Sequence, residues 1–219
     1  MNRVIITGVS DGLGLELAKT FINNDFDVVG ISRQKPNLKI THLKTDLNDN
    51  IQISKTIKTI KKEFSHFDAL INNAGIFYES QLQEVNPDKV LETYRINTIA
   101  PIQIIAGLLD EIKKNEADII NIGSTAGYKS IENQLVYSST KWALRGIDEG
   151  LRSELKQTKC RVISFNPGGF KSNMYKKATG RELTADNSWM EPHELSKLIF
   201  SLISLPKNME VSQIIINRN

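Results

Sequence analysis

Arg3-Val-Ile-Ile-Thr-Gly-Val-Ser-Asp-Gly-Leu-Gly14 is the stretch on which the fold turns. Residues 3–7 are a short apolar, β-branched run, the pattern of a strand buried on both faces. Gly8 stops that strand, and Gly12 and Gly14 follow in the turn. From Gly12 to Asn24, Leu13, Leu15, Leu17, Ala18, Phe21 and Ile22 recur at helical spacing. Asp27-Val-Val-Gly-Ile31 then reads as a second strand. Strand, glycine turn, helix and strand thus fit within about thirty residues, the size of a βαβ unit.

The alternation continues outward from there. Strands are expected at Lys39–Lys44, Phe67–Ile71, Asp118–Ile122, Cys160–Asn166 and Ser212–Asn217. Helices are expected at Ile51–Phe64, Pro87–Ile96, Thr98–Lys114, Tyr137–Gln157 and Pro192–Leu205. Strands alternating with helices from end to end predict an α/β fold. The expected form is one doubly wound, Rossmann-like, mostly parallel seven-stranded sheet with helices on both faces. Residues 1–219 read as a single domain. Only Pro167 to Glu191 breaks the rhythm, and residues 169–191 are expected to form a substrate lid, the usual role of a long loop in a tight domain.

Composition narrows the classes of function. The 219 residues are 40% hydrophobic and 24% charged, with a net charge of +3, so no basic patch argues for nucleic acid. No apolar run reaches the roughly 18 residues of a membrane span. No charged leader with an apolar core opens the chain, and the expected location is the cytoplasm. The single cysteine, Cys160, excludes an intrachain disulfide and reads as a small packing residue. His42, His66 and His193 are not at metal-ligand spacing, and no metal is expected.

Two sets of residues carry chemistry. A strand–glycine–helix turn lets a ligand backbone approach closely and points free N–H groups at it, which suits a pyrophosphate. The site is expected to take in Gly8, Ser10, Asp11, Gly12, Leu13 and Gly14. A Rossmann site that holds a ribose 2′-hydroxyl places a carboxylate at the end of the second strand. Here that place holds Ser32 and Arg33, which suit a 2′-phosphate and point to NADP, with NAD as the alternative. Asp11 adds a negative charge near the same pocket and works against that preference. Further on, Tyr137 and Lys141 stand at i and i+4 on one helix face. A cation there is expected to favour the phenolate and lower the Tyr137 pKa. With Ser124 holding a carbonyl oxygen, Tyr137 becomes the proton donor for a carbonyl turning into an alcohol, or the base for the reverse.

With these motifs in register the chain resembles the short-chain dehydrogenase/reductase family, in its compact single-domain branch. The matching residues are Thr7-Gly8, Gly12 and Gly14, Asp46-Leu47, Asn72-Asn73-Ala74-Gly75, Asn97, Ser124, Tyr137 with Lys141, and Asn166-Pro167-Gly168. They lie in family order across essentially the whole chain. The resemblance implies Tyr137 as general acid/base and Lys141 on the nicotinamide ribose hydroxyls. It implies Ser124 orienting the substrate oxygen and Asn97 holding a water in a proton relay to Lys141. It places Asp46 and Leu47 at the adenine, and Asn73, Ala74 and Gly75 along its ribose, with Asn72 equally suited to bracing a strand end. Pro167 and Gly168 would pack along the nicotinamide. Ser172 stands where the family often has a threonine facing the carboxamide.

The implied activity is NADP(H)-dependent interconversion of a carbonyl and an alcohol of small size. Lid aromatics suit an apolar compound, and Lys176, Lys177 and Arg181 suit an anionic one. A homodimer or homotetramer is expected through the two long helices. The main rival is a nucleotide-sensing regulator without turnover, whose usual signature is loss of the tyrosine or the lysine; both are present here. An epimerase of the extended branch would need a larger C-terminal region. A structural Rossmann protein is a third reading, since fold alone does not fix function.

Overall fold

A computed structural model describes residues 2–183 and 189–218. Seven strands form: β1 (Arg3–Thr7), β2 (Asp27–Ser32), β3 (Thr41–Lys44), β4 (Ala69–Asn72), β5 (Asp118–Ile122), β6 (Val162–Pro167) and β7 (Gln213–Ile216). All pair in parallel, in the order β3-β2-β1-β4-β5-β6-β7. The helices are α1 (Gly12–Ile22), α2 (Asn50–Glu63), α3 (Pro87–Tyr94), α4 (Ala100–Gly107), α5 (Leu109–Asn115), α6 (Leu135–Leu155), α7 (Met174–Thr179) and α8 (Pro192–Ile203).

Helices cover both faces, as a parallel sheet of buried apolar strands requires. On one face α1 and α8 pack Leu13, Leu17, Phe21, Leu195 and Ile199 against Val4, Ile6, Ile71 and Phe165. On the other, α2, α4 and α6 pack Ile53, Ile60, Ile104 and Leu155 against Ile5, Leu70 and Ile119. Alternate residues of β1 therefore serve opposite cores, as the two-residue period of a strand dictates. At the lower edge Arg161 is buried and paired with Asp118 at 2.5 Å, with Lys207 joining at 2.7 Å.

Two expectations need correction. The strand expected from Lys39 begins at Thr41, because Ile40 N–H turns back to Leu38 O. The single helix expected over Thr98–Lys114 is broken twice. Pro101 has no N–H for the carbonyl four residues earlier, and Arg95–Ile99 takes a wide turn in which Ala100 N–H reaches Arg95 O. The helix breaks again at Leu108, after Gly107, where an added Cβ would stand 2.6 Å from Ile57 Cδ1. The stretch that breaks the rhythm, Pro167–Glu191, has regular structure among its described residues. It holds α7, stopped by Gly180 at φ 71°, and a bridge between Phe170 and Met190 closes its base. Residues 184–188 of the expected lid lie outside the described residues. Cys160 is half-buried and its thiol donates to Ile112 O at 3.4 Å, in keeping with a packing role. Among the described residues no metal-ligand cluster occurs, and no helix is long and apolar enough to cross a membrane.

Candidate active site

The chain leaves β1 toward β2 on one side and returns through β4 on the other. Connections therefore diverge at the carboxyl ends of β1 and β4 and open a crevice, the usual ligand position in such sheets. A cavity of about 550 Å³ lies there. Its wall brings together the turn residues Gly8, Ser10, Asp11, Gly12, Leu13 and Gly14 with Ser32 and Arg33. Asp46, Leu47, Asn73, Ala74, Gly75, Tyr137, Lys141 and Ser172 line it as well. Asn97, Ser124, Pro167 and Gly168 do not line it. Gly168 N–H is engaged with Ile216 O at 2.7 Å, extending the β6–β7 ladder.

The turn is built for backbone contact. Gly8 has φ 78°, which a residue with a Cβ adopts only under strain. A Cβ on Gly14 would stand 2.0 Å from Gly8 O. Thr7 Oγ1 accepts from Asn73 N and Ala74 N, both at 3.0 Å, and Asn73 Nδ2 donates to Thr7 O at 2.9 Å. These bonds lock the ends of β1 and β4 together under the turn. Asp11 caps α1 through Gly12 N at 2.7 Å. Within the first turn of α1 itself there is no acidic side chain, so Asp11, the N-cap, supplies the one carboxylate at this end of the helix.

At the end of β2, Ser32 is buried and its hydroxyl donates to Gln34 O at 2.7 Å. His42 Nε2 lies 3.0 Å from the same hydroxyl. Arg33 is exposed, lines the cavity, and makes no ion pair among the described residues. Asp46 accepts from Asn48 N at 2.9 Å.

The second half of the cavity comes from α6. Tyr137 is half-buried, and Lys141 is 5% exposed with its Nζ 5.8 Å from the Tyr137 ring centroid. Lys141 Nζ donates to Ile122 O at 2.8 Å. The pKa expectation for the tyrosine is reversed. Burial pushes the Tyr137 phenol up, with a hydrogen bond from Ser124 working the other way. Removing water penalises the phenolate, and the Lys141 amine is spent on the Ile122 carbonyl rather than on the phenol oxygen. Burial also brings Lys141 down to about 8. Ser124 caps the following turn by accepting from Ala126 N at 3.1 Å. Asn97 stands in the wide turn before α4. It binds the Ile76 backbone on both sides, accepting from N at 2.8 Å and donating to O at 2.9 Å, and donates to Thr140 Oγ1 at 3.2 Å. Asn72, left between two roles, is a brace: it is buried and donates to Asn121 Oδ1 at 2.8 Å.

The tertiary structure adds Phe77, Tyr78, Thr93 and Ile96, which sequence reading missed, and brings residues of the expected lid to the same wall. Phe77 meets Tyr137 edge to face at 5.0 Å between centroids and leans on Tyr175 at 6.0 Å. Tyr78, Thr93 and Ile96 line the same side, and Phe170 and Met174 the lid side. The aromatic pair directly after Gly75-Ile76 was the signal available for this wall. Lys177 also lines the cavity, reaching Asp11 at 2.7 Å, and Asn173 Nδ2 reaches Asp11 at 3.2 Å. The lid is thereby tied to the glycine turn. Its other cations are paired as well: Lys171 with Glu191, Lys176 with Glu182, and Arg181 with Glu79 at 2.5 Å.

Comparison with known proteins agrees with this geometry. The chain is 27% identical to an uncharacterised oxidoreductase of Staphylococcus saprophyticus, over 97% of this chain and 94% of the other. It is 26% identical to the NADP-dependent 3-hydroxy acid dehydrogenase of Schizosaccharomyces pombe, over 97% and 91%. Among solved structures, the alcohol dehydrogenase of the archaeon Thermococcus sibiricus, complexed with 5-hydroxy-NADP, superposes with a TM-score of 0.87 at 19% identity, over 100% of this chain and 96% of that one. A family model for short chain dehydrogenases matches residues 2–182. With a parallel sheet switched between β1 and β4, a glycine turn at that switch and Tyr137 above Lys141 in the same crevice, the chain belongs to the short chain dehydrogenase family of oxidoreductases.

Proposed function

We propose that the protein interconverts a small carbonyl compound and its alcohol with NADP(H), using Tyr137 as general acid/base. The observation that carries this reading is the convergence of Tyr137, Lys141 and the glycine turn on one cavity. The residues present fit a dinucleotide. A Cβ on Gly8, Gly12 or Gly14 would stand within 2.0 to 3.3 Å of other atoms, so the turn keeps a cradle that no side chain fills. Arg33 and Ser32 at the end of β2, with no carboxylate there, support the phosphorylated form. NAD is the weaker alternative, favoured only by Asp11.

When bound, the nicotinamide supplies or receives the hydride. The chain's own residues do the rest. Ser124 and Tyr137 hydroxyls meet the charge that builds on the carbonyl oxygen, an oxyanion-type stabilisation. Tyr137 passes its proton to that oxygen. Lys141, from beneath the ring, orients the ribose. Asn97 holds the 76–78 loop and keeps a carbonyl lone pair for a relay water toward Lys141. The lid's paired cations leave Phe77, Tyr78, Phe170 and Met174 as the recognition surface, which supports an apolar rather than an anionic carbonyl substrate. Leu91, Ile102 and Trp142 on α3, α4 and α6, with Ile99 in the turn before α4, expose apolar surface and support assembly as a homo-oligomer.

The test is a fluorescence titration with NADPH and NADH, followed by aldehydes, ketones and diketones monitored at the reduced nicotinamide absorbance. Tighter NADPH binding and its consumption by an apolar carbonyl are the expected results. Failure of both nucleotides to bind would remove the reading altogether.

A further inference from the structure

Four charged side chains are buried among the described residues: Asp118, Arg161, Lys141 and Asp148. Arg161 and Asp118 form a direct pair at 2.5 Å. That leaves one cation, Lys141, and one anion, Asp148, 5% and 1% exposed. Neither has a fully buried partner of opposite charge in contact. Lys141 Nζ donates to a neutral carbonyl, that of Ile122. Asp148 accepts from a neutral amide, Asn121 Nδ2 at 2.5 Å, and from the Ser164 hydroxyl. A buried charge is costly unless compensated, so each needs the other's field.

The placement supports this pairing. Lys141 and Asp148 are seven residues apart on α6, two turns along one face. Beneath Asp148, Asn72, Asn121 and Ser164 occupy neighbouring register positions on β4, β5 and β6. Asn72 donates to Asn121, and Asn121 donates to Asp148. A polar row therefore crosses three strands of an otherwise apolar sheet and ends on one carboxylate of the helix that carries Tyr137 and Lys141.

We propose that Asp148 is a positioning residue for the reaction: it fixes α6 on the sheet through Asn121 and Ser164, and it is the buried counter-charge that keeps the Lys141 ammonium charged. The role in turnover rests on the function proposed above; the counter-charge does not. Other groups facing Asp148 are few. Arg152, one turn on, gives its guanidinium to Glu149, Val162 O and Ser212 O. Tyr128, which feels the Asp148 charge, lies under the Arg145 guanidinium at 3.8 Å. Strands β5 and β6 present Asn121 and Ser164 to it. Facing Lys141 are Tyr137 on its own helix, and Gly75 and Asn97, which are uncharged. In keeping with the pairing, burial lowers Lys141 to about 8 while Asp148 opposes the fall. Burial raises Asp148 to about 6, against the pull of Asn121, Ser164, Arg152 and Lys141.

The test is Asp148→Asn, an isostere that can still bond Asn121 and Ser164. Two quantities are read from pH 5 to pH 10 on the full chain. One is the Lys141 titration by NMR with isotope-labelled lysine, the resonance assigned by its loss in Lys141→Arg. The other is carbonyl reduction with NADPH. The expected result is a lower Lys141 midpoint in the variant, with the alkaline limb of activity moved down in step. A shift of one pH unit corresponds to a loss of roughly tenfold above that limb. Below about pH 6, where Asp148 takes up a proton, the two proteins should converge. An unchanged Lys141 midpoint, or an equal loss of activity at every pH, would overturn the proposal. If the variant does not fold, the wild type decides: its Lys141 signal should show an inflection near pH 6, and a flat response from pH 5 to pH 7 rejects the pairing. If the wild type reduces no carbonyl, the NMR titration still judges the counter-charge, and the proposed activity alone falls.

Discussion

At the scale of single residues, the chemistry depends on side chains whose surroundings oppose their ionisation. Tyr137→Phe keeps the ring that meets Phe77 and removes only the hydroxyl. We expect turnover to fall by roughly 10²–10⁴-fold, the usual worth of a positioned acid or base. NADPH affinity measured by fluorescence should remain near wild type. Arg33→Ala removes the cation at the end of β2. It should weaken NADPH by about 10- to 100-fold, the worth of a charge-assisted hydrogen bond, and leave NADH almost unchanged. A parallel loss for both nucleotides would place Arg33 outside 2′-phosphate recognition. Asp148 makes a stability prediction as well. Its folded-state pKa is raised to about 6, above the 3.8 of the free side chain. The folded protein therefore binds this proton more readily than the unfolded chain. The associated stability is present below pH 3.8 and is lost as pH rises through about 6. Calorimetry should then find a smaller gain in melting temperature for Asp148→Asn than for wild type on going from pH 7 to pH 5.

Elements hold the site through a few close contacts. Gly14 packs the start of α1 against the end of β1, where an added Cβ would stand 2.0 Å from Gly8 O and 2.5 Å from Asn73 Nδ2. Gly14→Ala must push the helix off the strand. It should destabilise the fold by about 1–3 kcal/mol, the range for overpacking, and abolish nucleotide binding even where the protein folds. At the opposite end of the sheet, Arg161 reaches Asp118 and the carbonyls of Ile203, Leu205 and Met209. One guanidinium thus ties β5, β6 and the end of α8 together. Arg161→Met leaves Asp118 buried with only Lys207 and should cost about 3–5 kcal/mol. In a chain of this size that lowers the melting temperature by roughly 10 °C, far from the site and without changing nucleotide preference. The element boundaries show where sequence stops being informative. The strands were legible because each is a short apolar run. The break in the helix after Asn97 was not, although Pro101 and Gly107 were in view. Whether such residues bend a helix depends on what packs there, and here Ile57 of α2 fills the space above Gly107.

For the whole molecule, the exposed apolar residues Ile99 and Ile102 near the start of α4, and Trp142 on α6, predict a shared interface. Light scattering should report a dimer or tetramer for the wild type and a smaller species for Ile102→Glu with Trp142→Glu. A monomeric wild type would assign that apolar surface to other contacts. Much of the molecule was written in local sequence. Short apolar runs and helical periodicity determined the α/β class and the strand count, because a strand buried on both faces selects a continuous apolar run and a helix stripe selects residues at its own period. The glycine turn, Ser32-Arg33 and the Tyr137–Lys141 spacing were legible because each is a local arrangement on one element, and all of them line one cavity. Only tertiary structure decided the rest. The Phe77 wall, the tie from Lys177 to Asp11 and the row from Asn72 to Asp148 join residues as much as 166 positions apart in the chain. It also reversed the expected direction for Tyr137. A pKa answers to burial and to where a neighbour's hydrogen bonds are spent, and neither is set until the sheet and its helices close around the group.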